Sequence, residues 1–122
     1  MTPREITDAY DRHANAGKWE AWCDLFAEDV VMDEQLAGHV EGLSTLRSMI
    51  GGMSGYSKFQ NVPRHIIISG NEAGVISHIS AANRAGVPIE ADVANYFRFE
   101  NDKIAYMANF HDSVPFKPFL EQ

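Results

Sequence analysis

Apolar residues change their period partway along the chain. Ile6, Ala9, Tyr10, His13 and Ala14 recur at the spacing of one helix face. Thr2-Pro3-Arg4-Glu5 in front of them is a helix start: Thr2 caps, Pro3 suits the first helical position, and Glu5 completes a capping box. Asn15-Ala16-Gly17 ends the run. Trp19, Trp22, Cys23 and Phe26 then form a second, shorter helical stripe, of a kind that belongs to a core. "VVMDEQ" (30–35) predicts a short strand, and "LAGHVEG" a turn with a second strand fragment. Leu43, Leu46, Met49, Ile50 and Met53 predict a third helix that runs out at Gly51-Gly52. The glycine-rich stretch 51–63 reads as a loop, of a length that often forms a lid or a pocket mouth.

From Arg64 onward the period becomes two. Strands are expected at about 64–69, 74–85, 87–100 and 103–113, broken by turn chemistry at Gly70-Asn71, Ala85-Gly86 and Asn101-Asp102. Three helices, a small hairpin and a four-stranded antiparallel meander make an α+β domain, with the helices on one face of a strongly curved sheet. A ligand would lie between the two layers. One position breaks the alternation. Asn95 shares a strand face with Ala91, Val93, Phe97 and Phe99. Burying an unpaired amide costs about 1–3 kcal/mol, so a neighbour must satisfy Asn95 or a ligand must.

At 122 residues the chain is expected to be one domain, 1–122, with a core of its own. Ten basic against 17 acidic residues give a net charge of −7, which argues against nucleic acid and anionic membranes as partners. The single Cys23 precludes an internal disulfide and fits a reducing compartment. "MTPREITD" lacks a signal-peptide layout and no long apolar run occurs, so a cytoplasmic location is expected. His13, His39, His65, His78 and His111 show no metal-site spacing, and no phosphate-binding glycine motif appears. No metal or other cofactor is expected.

"NAGKWEAWCDLFAEDVVMDE" and "ANYFRFENDKIAYMANFHD" resemble the opening and the closing hairpin of the nuclear transport factor 2-like superfamily. That group holds the SnoaL-like polyketide cyclases, ketosteroid isomerases, limonene epoxide hydrolases and scytalone dehydratases. The resemblance spans nearly the whole chain and implies their cone-shaped, cystatin-like fold, a deep apolar pocket and pairing of sheets into a homodimer. The ketosteroid isomerase pattern places Tyr10 at its oxyanion-hole tyrosine, Glu34 at its aspartate base and Asn95 at its protonated aspartic acid. Glu34 is one methylene longer than that base, and an amide is a weaker donor than a carboxylic acid. Asn109 stands where the epoxide hydrolases have a catalytic aspartate, which disfavours their chemistry here. The setting of His65 is similar to that of the pocket histidine of scytalone dehydratase.

Each of these residues also has a plain reading. His65 shares a face with Ile67 and Ser69, and is either an acid–base group or a buried histidine bonded to a carbonyl. Asp33 and Glu34 are strand neighbours, so only one faces inward, and the family match selects Glu34. Tyr10 could be purely structural. The last strand offers two sets: Ala105, Met107, Asn109 and His111, or Ile104, Tyr106, Ala108, Phe110 and Asp112. In the superfamily the set with Met107 and Asn109 faces the pocket. The expected catalytic group is therefore Tyr10, Glu34, His65 and Asn95, and the expected substrate-binding set is Trp22, Phe97, Met107, Asn109 and His111. A cofactor-free isomerase, lyase or cyclase acting on a small hydrophobic carbonyl compound follows. A non-catalytic small-molecule binding domain of the same shape is the alternative.

Overall fold

The computed structural model describes residues 1–50 and 56–117. Helix α1 (Pro3–Asn15) begins at the anticipated capping box, with Glu5 N donating to Thr2 Oγ1 and Thr2 N to Glu5 Oε1. Helix α2 (Trp19–Cys23) is followed by β1 (Phe26–Glu34), β2 (Gly38–Glu41), α3 (Leu43–Ser48), β3 (Lys58–Ser69), β4 (Glu72–Ala82), β5 (Pro88–Glu100) and β6 (Lys103–Phe110). A single 3-10 turn, Val114–Phe116, closes the described chain. No helix among the described residues is long and apolar enough to cross a membrane.

The hairpin and the meander form one sheet, in the order β2-β1-β6-β5-β4-β3. The join is parallel: β1 runs alongside β6, so the sheet is mixed rather than wholly antiparallel. Asn101 and Asp102, both at positive φ, make the tight turn between β5 and β6. Phe26 starts β1 instead of closing the helical stripe of Trp19, Trp22 and Cys23. The third helix stops at Ser48, and its expected continuation through Met53 lies partly outside the described residues. So does the first part of the expected loop 51–63. The second part is strand, because Phe59 and Asn61 pair with Ala81 and Ile79 on the long β4.

A register shift between Pro63 and His65 changes which side chains of β3 face the helices. Before it Asn61 is buried; after it Ile66 and Ile68 pack on the core, while His65 and Ile67 are exposed. The expected inward face of His65, Ile67 and Ser69 is therefore the outward one. An extra residue in one strand inverts the alternation, and a period counted along that strand does not reveal it.

The core has two parts. The larger gathers Ile6, Tyr10, Trp22, Phe26, Met32, Leu46, Phe97 and Met107 under the helices. The smaller contains Ile79, Ile89, Val93 and Phe116. Phe59 packs against both. Helix α1 is also tied to the sheet edge by polar bonds. Asn15 Nδ2 donates to Asn61 O (3.0 Å), and Asn61 N donates to Asn15 Oδ1 (2.7 Å).

Candidate active site

Between the two core clusters lies a cavity of about 320 Å³. Tyr10, Trp22 and Leu46 reach it from the helices, Met32 and Glu34 from β1, Asn61 from β3, Asn95 from β5, and Met107 and Asn109 from β6. Leu36 and Ala37 of the β1–β2 turn, His111 and Phe116 complete its wall. Most of the lining is apolar, the usual composition of a small-molecule pocket with a few polar groups that fix orientation.

Alternation along each strand chooses the polar groups. On β5, Ala91, Val93, Asn95, Phe97 and Phe99 are all buried, so Asn95 does share their face. Asn95 pairs with Asn109 across β5 and β6. Met32 and Met107 are likewise paired between β1 and β6. The set containing Met107 and Asn109 is thus the one on the cavity side.

Glu34 is held in place by its own turn. Its Oε2 accepts hydrogen bonds from Leu36 N (2.7 Å) and Ala37 N. Asn109 Nδ2 donates to its Oε1 at 3.4 Å, and Asn109 Oδ1 accepts from Gln35 N at 2.9 Å. Both ends of the Asn109 amide are engaged, which makes it a positioning group for Glu34. His111 Nε2 lies 3.9 Å from Glu34 Oε1, and His111 Nδ1 donates to Asp112 O at 2.8 Å. The Asp112 carboxylate accepts from Val114 N, a bond at the sheet end.

Several polar groups on the cavity wall are unspent among the described residues. Neither the Asn95 amide, 5% exposed as a residue, nor the Tyr10 hydroxyl has a hydrogen-bond partner among the described residues. Burial raises the Tyr10 hydroxyl above the ordinary tyrosine range, with the charges of Asp11 and Glu34 adding to it, so it remains a donor. Tyr56 is pushed up to about 12 by burial and then by Glu34. Trp22 Nε1 and Asn61 Oδ1 are also buried without a partner among the described residues.

Two expected site residues are elsewhere. His65 is exposed on the outer face, turned there by the register shift in β3. Phe97 is buried, but it packs against Tyr10 at 4.9 Å and does not line the cavity. Asp33 also faces outward, where it accepts from Tyr106 Oη (2.6 Å) and lies 2.6 Å from His39 Nδ1.

Asn61 and Asp11 were not singled out from sequence. Asn61 Nδ2 donates to Asp11 Oδ1 at 3.0 Å, and burial, with Asp8 adding, pushes the Asp11 carboxyl up to about 7. The signal for Asp11 was its helical spacing from Thr7 and Ala14, which are buried with it. Asn61 was hidden in the glycine-rich stretch. Among the described residues no three His, Cys, Asp or Glu side chains converge as metal ligands.

Helices over one face of a curled sheet, with an apolar cavity between the layers, define the nuclear transport factor 2-like, ketosteroid isomerase-like fold. The SnoaL-like domain model matches residues 6–107, and the chain belongs to that family. Solved structures agree on the fold. TerC, co-crystallised with polyporic acid, superposes with a TM-score of 0.84 at 17% identity, over 99% of this chain and 100% of TerC. A nuclear transport factor 2-like protein of unknown function from Burkholderia pseudomallei K96243 gives 0.83 at 15% identity, over 93% and 94% of the two chains. AclR from Streptomyces galilaeus, provisionally designated a hydroxylase, gives 0.80 at 12% identity, over 98% and 96%. Comparison with curated proteins finds no match.

Proposed function

We propose that the cavity binds a small apolar carbonyl compound and moves a proton α to its carbonyl, as a cofactor-independent isomerase, lyase or cyclase. The observation that carries this is the pairing of functions in one cavity. Glu34 presents a carboxylate oxygen, while Tyr10 and Asn95 present donors unused among the described residues. Glu34 would take the α-proton, and the charge that develops on the carbonyl oxygen would be met by Tyr10 and Asn95. Apolar walls such as Met32, Trp22 and Met107 lower the local dielectric and strengthen those hydrogen bonds. Co-crystallisation of the fold neighbour TerC with polyporic acid is in keeping with a ligand cavity in this chain.

A non-catalytic binding domain is the second reading. It is favoured by the two turn amides on Glu34 Oε2, which give that carboxylate a structural task. The two readings separate on α-proton exchange. α-Tetralone in heavy water, followed by proton NMR, is expected to lose its α-protons at a rate set by the protein. Glu34→Gln should slow this at least about a hundredfold, and Asn95→Ala by a comparable factor. Exchange no faster than in buffer, or unchanged in Glu34→Gln, would leave only the binding domain.

For the assembly, we propose a second copy of this chain against the outer face of the sheet. Ile76, Ala94 and Phe110 are paired across three strands, and Ile76 and Phe110 are 49% and 62% exposed. Ile67 and Val62 extend the exposed apolar side chains onto β3. A cytoplasmic location remains part of this proposal, on the single free cysteine, Cys23.

A further inference from the structure

We infer that His111 Nε2 accepts a hydrogen bond from a hydroxyl of the ligand, so that the ligand is a hydroxylated carbonyl compound rather than a simple ketone. The inference rests on the carbonyl reading proposed above and adds to it a second point of recognition.

The tautomer follows from chemistry. The carbonyl oxygen of Asp112 can only accept, so the nitrogen 2.8 Å from it, Nδ1, carries the hydrogen. A neutral ring then presents Nε2 as a bare lone pair. That nitrogen faces Glu34 Oε1, another lone-pair atom, at 3.9 Å, beyond hydrogen-bond distance. Asn109 Nδ2, which lies beside Glu34, donates to Glu34 Oε1 and not to the ring. The His111 side chain is 3% exposed, and its ring packs on Phe116 with centroids 4.6 Å apart. The donor that Nε2 lacks among the described residues must therefore come from whatever fills the cavity. The ring lines the cavity, so a ligand hydroxyl can supply it.

Polarity is thus divided along the cavity wall. Tyr10 and Asn95 offer hydrogen-bond donors suited to a carbonyl oxygen, and His111 offers an acceptor suited to a hydroxyl. With Glu34 beside His111, the hydroxyl would sit near the carbon that loses its proton. At interior packing density the cavity of about 320 Å³ takes on the order of a dozen non-hydrogen atoms, the size of a two-ring skeleton.

The test compares three ligands on the full-length chain by titration calorimetry: 4-hydroxy-α-tetralone, α-tetralone without the hydroxyl, and tetralol without the carbonyl. Loss of the hydroxyl should weaken binding to wild type at least about tenfold, because the bound ketone then covers the nitrogen and leaves it unpaired. In His111→Phe the two ketones should bind within about twofold of each other. Equal affinity of the two ketones for wild type would overturn the inference, and so would a preference that survives in His111→Phe. The wild-type comparison stands even if that variant does not fold. Nitrogen NMR of the labelled ring gives an independent check. The hydrogen is expected on Nδ1, and a hydrogen on Nε2 would refute the assignment. The carbonyl reading is judged separately, by the loss of affinity from hydroxy-tetralone to tetralol and its dependence on Asn95.

Discussion

Asn95 and Asn109 are directly paired across β5 and β6, yet among the described residues only one of these two amides is spent. Asn109 bonds Glu34 and Gln35 N at its two ends, whereas Asn95 bonds nothing among the described residues. An amide that orders a neighbouring carboxylate and an amide left open on the same wall divide the work of a binding site between them.

The open amide should cost stability in the empty protein. Asn95→Leu, close in size and apolar, is expected to raise unfolding free energy by about 1 kcal/mol and to abolish carbonyl binding. Urea unfolding and ligand titration on the same variant check both halves. A destabilised Asn95→Leu would assign the amide a structural partner instead.

Glu34 has a structural role beside its proposed chemical one. Glu34→Ala removes the acceptor for Leu36 N and Ala37 N and should destabilise the fold by about 1 kcal/mol, since water can reach that turn. Glu34→Gln keeps an acceptor oxygen there and should lose activity at little cost in stability. Equal destabilisation by the two variants would mean that the turn needs the charge.

Asp11 should make stability fall as pH rises. Its unfolded carboxyl titrates at the ordinary 3.8, and burial holds the folded one near 7. Between those values the folded chain keeps a proton that the unfolded chain has lost, so raising the pH favours unfolding. Stability should drop by about 1.4 kcal/mol for each pH unit crossed in that window, a few kcal/mol in all. Asp11→Asn should lack this component and be more stable than wild type above neutral pH. Parallel stability–pH curves for the two proteins would contradict the burial argument.

The reciprocal bonds between Asn15 and the backbone of Asn61 anchor α1 on β3, and with it the position of Tyr10. Asn15→Ala is expected to cost about 1–3 kcal/mol, because both partly buried backbone groups lose their partner. Chemical denaturation measures it. A change within a few tenths of a kcal/mol would mean that water replaces the side chain.

Ile76→Lys places a charge in the outer apolar row. Sedimentation should find a dimer for wild type and a monomer for the variant, with ligand binding retained. A monomeric wild type would remove the second copy from the outer face.

Much of the fold could be read locally. The capping box at Thr2, the positive-φ turn at Asn101-Asp102 and the strict alternation from Ala91 to Phe99 depend on neighbours in sequence, and each stands as expected. The alternation also singled out Asn95, because an amide in an apolar row is conspicuous whatever the partner strand. His65 was misplaced by the same rule. The register shift beside Pro63 arises from how β3 meets β4, and a period counted along one strand cannot register it.

The sequence by itself determined the element order, the family resemblance and the amphipathic faces of α1 and β5, because periodicity and capping act over a few residues. Only the tertiary structure decided which polar groups meet. Glu34 and Asn109 are 75 residues apart in sequence, and Asp11 and Asn61 are 50 apart. Whether such groups are paired, buried or left open depends on strand pairing and on the packing of helices over the sheet, which are long-range interactions. Those contacts turn a scattered set of ordinary polar residues into a cavity wall with donors and acceptors.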